Sequence, residues 1–80
     1  MDDASIRRAV RQKLEATGLP REDPVRTWAG PGDGRRCVVC EEPIARTETE
    51  YELQFGPDLR SIRFHRVCQA AWDTERRRLR

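Results

Sequence analysis

Several residue types that would point to a particular class of protein are scarce in this chain. Its 80 residues include three cysteines, one histidine and one lysine, Lys13. No apolar run approaches the roughly 20 residues that a membrane-spanning helix needs, and the N-terminal stretch MDDASIRRAVRQKLEATGLP lacks the apolar core of a signal peptide. These absences argue against a membrane protein and a secreted one. We therefore expect a cytoplasmic protein whose thiols stay reduced.

Apolar residues are sparse as well: they make up 36% of the chain, whereas charged residues make up 38%. A chain of this length forms at most one small domain and buries only about 60% of its unfolded surface. Such domains often depend on a metal ion, disulfides or a partner for stability. The net charge of +2 is too small to indicate a nucleic-acid partner by itself.

The first third of the chain predicts a helix followed by a loop. Asp2 or Asp3 can cap the helix, and Gly18 with Pro20 can end it. Its apolar residues recur at helical spacing, at Ile6, Ala9, Val10 and Leu14. Residues 20–36 hold three prolines and three glycines, a composition that predicts a loop. We expect Trp28 to fix this loop to the core.

The remainder of the chain predicts a β-hairpin and a second helix. Residues 49–55 alternate apolar and polar side chains, as a strand with one solvated face does. The sequence GPD then turns the chain, and residues 61–64 alternate again as the return strand. This pairing would bring Glu50 and Glu52 near Arg60 and Arg63. From His65 onward neither glycine nor proline interrupts a helix-compatible sequence.

The three cysteines and the histidine fall into two pairs with the same spacing. Cys37-x-x-Cys40 is followed by 24 residues and then by His65-x-x-Cys68. Zinc prefers four nitrogen or sulfur ligands in a tetrahedron, and such two-residue spacers recur in its sites. On a helix, positions i and i+3 share a face, so the second pair could reach one ion from a first helical turn. The pattern predicts a site for one Zn²⁺.

Three other interpretations of the cysteines stay open. A thioredoxin-like redox pair would need a βαβ context, and the sequence pattern shows none. The cysteines could be unrelated buried thiols, and iron could bind the same four ligands. The zinc interpretation is the one that uses every cysteine and the only histidine.

The chain places the Cys37-x-x-Cys40 turn, or zinc knuckle, before the hairpin and the second helix. This order resembles the treble-clef zinc finger over residues 37 to about 78. The ligand pattern resembles the first half-site of a LIM domain. The whole chain also resembles a set of short bacterial zinc-binding proteins, in the stretches IRRAVRQKL…GLP, W-x-G-P-G-x-G, EYEL and FH…C…W…ER. The resemblance implies a small α+β fold, in which residues 1–36 pack on a treble-clef-like module of residues 37–80.

Residues next to the four ligands can be assigned supporting roles. Three thiolates and a neutral imidazole around Zn²⁺ leave a charge of −1. Arg35, Arg36 and Arg66 flank the ligands and would balance that charge. Trp72 follows Cys68 by about one helical turn and would shield the sulfurs from water.

The sequence favours a binding role over catalysis. Four protein ligands leave no open position on the metal, which is typical of structural zinc, so we expect neither an enzyme nor a small-molecule substrate. The first hypothesis is a protein-interaction, adaptor or regulatory module. The alternative is nucleic-acid binding through the basic C-terminal helix. Its candidate contacts are Arg66, Arg76, Arg77, Arg78 and Arg80.

Overall fold

The computed structural model describes residues 2–16, 18–58 and 60–78. Its elements are α1 (Asp3–Glu15), β1 (Arg26–Pro31), β2 (Thr49–Phe55), β3 (Arg60–His65) and α2 (Arg66–Arg78). The strands form one antiparallel sheet in the order β1-β2-β3. The small α+β class is thus confirmed. Within the described ranges, neither helix has the length and apolar character that crossing a bilayer requires.

Helix α1 forms as its sequence predicts. The Asp2 side chain accepts a hydrogen bond from the Ser5 N–H at 2.8 Å and so caps the first turn. At the other end, the Gly18 N–H donates to the Lys13 carbonyl at 2.7 Å. This bond satisfies a carbonyl that the last helical turn leaves free. The buried apolar residues of α1 share one face, which packs on α2: Ile6, Val10 and Leu14.

Strand β1 corrects the prediction that residues 20–36 form a continuous loop. Its register pairs Trp28 with Glu52 and Gly30 with Glu50. The proline and glycine content of this segment favoured a loop over a strand. Pro31 nevertheless fits the observed structure, because it lies at the end of an edge strand, where its missing N–H is tolerated. Trp28 is 46% exposed, so the prediction that it fixes the loop to the core is wrong.

The β2–β3 hairpin has the predicted turn and pairing. Tyr51 lies opposite Phe64, and Glu52 lies opposite Arg63. The Arg63 guanidinium is 3.7 Å from Glu50 and 3.4 Å from Glu52, which confirms the predicted charge pairs for Arg63. Arg60 instead lies opposite Phe55 at the turn end of the hairpin, so its predicted proximity to the two acids is wrong.

The core lies between the two helices and the inner face of the sheet, and its largest fully buried side chain is Trp72. The Trp72 ring centroid is 5.8 Å from that of Phe55 and 5.6 Å from that of Phe64. Its indole N–H donates to the Pro20 carbonyl at 2.8 Å. Helix α2 is thereby attached both to the sheet and to the segment that follows α1.

Two glycines after β1 hold the loop that precedes the cysteine pair. The Gly32 N–H donates to the Glu48 carbonyl at 3.0 Å, and the Gly34 N–H donates to the Ile44 carbonyl at 2.9 Å. Gly34 has φ +89°, a conformation that favours glycine. A Cβ at Gly32 would overlap the carbonyl oxygens of Ile44 and Ala45. The loops that precede and follow the cysteine pair therefore pack backbone to backbone.

Candidate metal centre

Four side chains from three segments converge at the junction of the sheet and α2. Cys37 and Cys40 come from the turn between β2 and the loop of Gly32 and Gly34, called the glycine loop below. His65 is the last residue of β3, and Cys68 lies in the first turn of α2. Their ligand atoms all lie within 4.8 Å of one another. These are the four residues that the spacing in the sequence paired.

The Cys37–Cys40 turn has the local geometry of a metal knuckle. The Val39 N–H donates to the Cys37 sulfur at 3.4 Å, and the Glu41 N–H donates to the Cys37 carbonyl at 3.0 Å. Glu41 takes φ 65°, which is uncommon outside glycine. The Val38 N–H donates to the Arg63 carbonyl at 2.8 Å. That bond attaches the turn to β3 two residues before His65.

His65 presents a defined nitrogen to the sulfurs. Its Nδ1 is 3.2 Å from the Cys40 sulfur, whereas its Nε2 is 3.2 Å from the Pro43 carbonyl oxygen and 3.5 Å from a Glu48 carboxylate oxygen. An Nε2–H donated to Pro43 leaves Nδ1 unprotonated and free to bind a metal. Neither this orientation nor the contacts of Pro43 and Glu48 with the ring could be predicted from the sequence.

His65 lies in a different element from the one that its spacing predicted. We expected His65 and Cys68 to share the first turn of a helix, but α2 begins at Arg66 and His65 belongs to β3. The two side chains still converge because the strand leads directly into the helix. The convergence therefore depends on the junction between two elements rather than on one helical face.

The three thiols differ in acidity. A hydrogen bond from the Cys68 thiol lowers the pKa of Cys37 to about 4, with further support from backbone N–H groups. The same hydrogen bond raises the pKa of Cys68, and burial raises the pKa of Cys40. A thiolate at Cys37 is thus stabilised by the fold itself, and metal binding must displace the other thiol protons.

The donor set fits a zinc ion. All three cysteines are free thiols, so three soft sulfur donors and one imidazole are available, the combination that tetrahedral zinc sites use. The Cys37 sulfur also accepts backbone N–H groups of Val39 and His65, at 3.4 and 3.5 Å. Such hydrogen bonds stabilise a thiolate. The chain therefore offers a Cys₃His group that could hold one metal ion, consistent with zinc.

The predicted neighbours of the site take different positions. Arg36 donates to the Glu41 carbonyl at 2.8 Å and so contacts the knuckle directly. Arg35 forms an ion pair with Asp33 at 3.2 Å, and Arg66 is exposed at the start of α2.

Trp72 was expected to shield the sulfurs. Its described ring contacts are with Phe55, Phe64 and the Arg76 guanidinium, in the core. The observed geometry thus gives Trp72 a packing role between the sheet and α2.

One of the candidate arginines at the end of α2 is buried and forms ion pairs within the domain. Arg76 is only 3% exposed, bonds Asp23 and Asp73 at 2.8 Å each, and lies 4.6 Å from the Trp72 ring centroid. Arg76 is thus unavailable to a phosphate group, contrary to its place among the candidate nucleic-acid contacts.

The other candidate arginines of this helix end are less constrained. Arg77 contacts Asp73 at 3.4 Å, and Arg78 lies 3.7 Å from Glu75. Both arginine side chains are largely exposed. Arg80 lies outside the described residues.

Comparison with known proteins returned no match: no family model, curated protein or solved structure resembles this chain significantly. The likeness to treble-clef and LIM-type sites consequently rests on ligand spacing and element order alone. What the chain itself establishes is a compact α+β domain with a Cys₃His group that could hold a metal ion.

Proposed function

We propose that this chain is a zinc-binding interaction module in which one Zn²⁺ has a structural role. Cys37, Cys40, His65 and Cys68 would hold the ion, with Nδ1 as the histidine donor. The observation that carries the proposal is the convergence of these four ligand atoms, from three segments, within 4.8 Å. In the cytosol the thiols would stay reduced and free to bind metal.

A structural role follows from the number of ligands. Four protein ligands complete a tetrahedron and leave no coordination position for a substrate or a catalytic water. Structural zinc contributes about 10–16 kcal/mol of apparent binding free energy in small domains, whereas domains are stable by only about 5–15 kcal/mol in total. The ion would join the knuckle, the end of β3 and the start of α2. We infer that most of the domain's stability depends on it.

A protein partner is favoured over nucleic acid by the way the basic residues are used. Arg76 is buried among Asp23, Asp73 and Trp72, and Arg11 on α1 pairs with Glu75 at 3.1 Å. Arg11 thus joins the two helices, and Arg76 joins α2 to the segment that follows α1, so neither side chain belongs to a free basic surface. Trp28, by contrast, exposes a large aromatic side chain on the sheet, a residue type enriched in protein interfaces.

Native mass spectrometry, followed by circular dichroism during chelation, tests the proposal. We expect one zinc ion per chain, lost in Cys37→Ser and retained in Glu42→Gln. Glu42 is exposed, follows Cys40 by two residues and lies outside the ligand set, so its variant is the matched control. Chelation should remove the helical signal together with the metal. A metal-free chain that keeps its native spectrum would refute the structural role.

A further inference from the structure

The outer face of the sheet carries a pocket that is lined by Trp28 and contains none of the four candidate metal ligands. It has a volume of about 310 Å³ and lies between β1 and β2. Its wall is the exposed indole of Trp28, and carboxylates of β2 lie across from it. Its lining residues are Trp28, Ala29, Gly30, Pro31, Glu50 and Glu52.

Gly30 opens the pocket. It lies directly opposite Glu50 in the strand register, and a Cβ placed on it would meet no atom within 4 Å. The position where a side chain would normally cover the neighbouring strand is therefore empty space. A group entering over Gly30 reaches the Glu50 carboxylate while it contacts the Trp28 ring.

The side chains around the pocket carry more negative than positive charge, which favours a bound cation. Arg63 is the only cation within ion-pair distance of Glu50 and Glu52 among the described residues, so two carboxylates share one guanidinium. The nearby Asp33 and Arg35 pair with each other at 3.2 Å. Oxygen Oε1 of Glu50 is buried and has no hydrogen-bond partner among the described residues. A buried carboxylate oxygen without a partner is costly, and the Glu50 side chain, 13% exposed, lines the pocket from which an N–H donor would approach it.

The Trp28 indole favours a guanidinium over an ammonium group as the bound cation. A guanidinium stacks flat on an indole and also donates parallel N–H bonds to a carboxylate, whereas an ammonium is a more strongly hydrated point charge. The molecule already uses this chemistry once, where the Arg76 guanidinium lies 4.6 Å from the Trp72 ring centroid and bonds Asp23 and Asp73.

The pocket also lies beside a free sheet edge. In the described part of the chain, β1 pairs with β2 on one side and no strand pairs with its other side. An unpaired edge offers backbone groups to an extended segment. Side chains of a segment bound there would alternate between the two sheet faces, and those on the outer face would lie next to Trp28 and Gly30.

We propose that the pocket formed by Trp28, Gly30, Glu50 and Glu52 binds an arginine side chain, presented by an extended segment of a partner protein. The guanidinium stacks on Trp28 and donates to the Glu50 carboxylate. The inference rests on the proposed interaction function and identifies the surface through which it acts. It does not depend on which metal the Cys₃His group holds.

Two-dimensional ¹⁵N NMR of the folded protein tests this proposal. The probe is a blocked seven-residue peptide with one central arginine flanked by valines and threonines, and the control peptide carries the neutral isostere citrulline. The indole N–H signals of Trp28 and Trp72 report separately on the pocket and on the core. We expect the arginine peptide to shift the Trp28 signal saturably and to leave that of Trp72 in place. The citrulline peptide should bind at least about tenfold more weakly, and a lysine peptide more weakly than arginine.

Three variants locate the binding. Gly30→Val fills the open space, and Glu50→Gln removes the charge while it keeps the shape; each should weaken binding at least about tenfold. Thr27→Val changes the opposite face of the same strand and should bind normally. Metal content and amide spectra of every variant are measured, so that loss of zinc or of the fold is distinguished from loss of peptide binding.

Several results would overturn the proposal. An unmoved Trp28 signal at millimolar peptide, equal binding of the citrulline or lysine peptide, or wild-type binding by Gly30→Val would each do so. Sedimentation velocity gives a further check: a dimer that Gly30→Val abolishes would assign the pocket to a second copy of this chain instead of a separate partner.

Discussion

Replacement of Gly32 by alanine tests how the glycine loop positions the metal centre. An added Cβ would lie 2.7 Å from Cγ2 of Ile44 and would also overlap the carbonyl oxygens of Ile44 and Ala45. Since carbon atoms pack at about 3.5–4.0 Å, the two loops must separate by about 1 Å. The Gly32–Glu48 backbone hydrogen bond spans this same contact.

The magnitude follows from two costs. Overpacking of this kind costs about 1–3 kcal/mol, and a weakened backbone hydrogen bond adds about 1 kcal/mol. Alanine also reduces the entropy of the unfolded chain, which stabilises by about 0.4–1 kcal/mol where the conformation permits. Gly30→Ala is the matched control, because its Cβ meets nothing within 4 Å and the entropy gain is the same.

The two variants should therefore differ by about 2–4 kcal/mol in the free energy of unfolding, which corresponds to about 8–32 °C in Tm for a domain of this size. Thermal denaturation of the zinc-loaded proteins, followed by circular dichroism, measures the difference. Glu48 also contacts His65 through Nε2 at 3.5 Å, so Gly32→Ala should weaken zinc affinity as well. If the two alanine variants melted within 3 °C of each other, the backbone packing described for Gly32 would be refuted.

Two further substitutions examine the ion pairs that attach α2 to α1 and to the segment after α1, each compared with the exposed control Arg8→Ala. Arg11→Ala should destabilise by about 1–2 kcal/mol, because among the described residues it leaves the Glu75 side chain, 2% exposed, with only the Arg78 guanidinium, at 3.7 Å, as an ion-pair partner. The half-exposed position of Arg11 keeps the loss below that of a fully buried pair. Arg76→Met should cost about 2 kcal/mol, because it keeps the apolar stem but removes charge-assisted hydrogen bonds and the contact with Trp72. Urea denaturation measures both, and values equal to that of Arg8→Ala would contradict these roles.

The elements predicted correctly from the sequence are those with a clear local period. Helix α1 follows from apolar residues at helical spacing, from Ile6 to Leu14. The β2–β3 hairpin follows from alternation and from a turn sequence. The convergence of Cys37, Cys40, His65 and Cys68 could be predicted because cysteine and histidine are rare here and fall into two pairs with the same spacing.

The features that the sequence did not reveal depend on tertiary contacts. Strand β1 exists because it pairs with β2, while its proline and glycines suggest a loop. Trp28 is exposed despite its size, and Arg76 is buried despite its charge, because their environments come from other segments. The orientation of the His65 ring depends on Pro43, which lies 22 residues away in the sequence. Local patterns carry no information about such pairs.

Titration of the metal-free chain with Co²⁺, monitored by absorption spectroscopy, tests the Cys₃His centre most directly, because cobalt reports both ligand type and geometry. We expect saturation at one equivalent, with the strong visible bands of tetrahedral cobalt and thiolate-to-cobalt charge transfer. Added zinc should bleach these bands, and Cys40→Ser should reduce the charge-transfer intensity by about a third or abolish binding. Weak octahedral bands, or the absence of saturation at one equivalent, would contradict a zinc site built from Cys37, Cys40, His65 and Cys68.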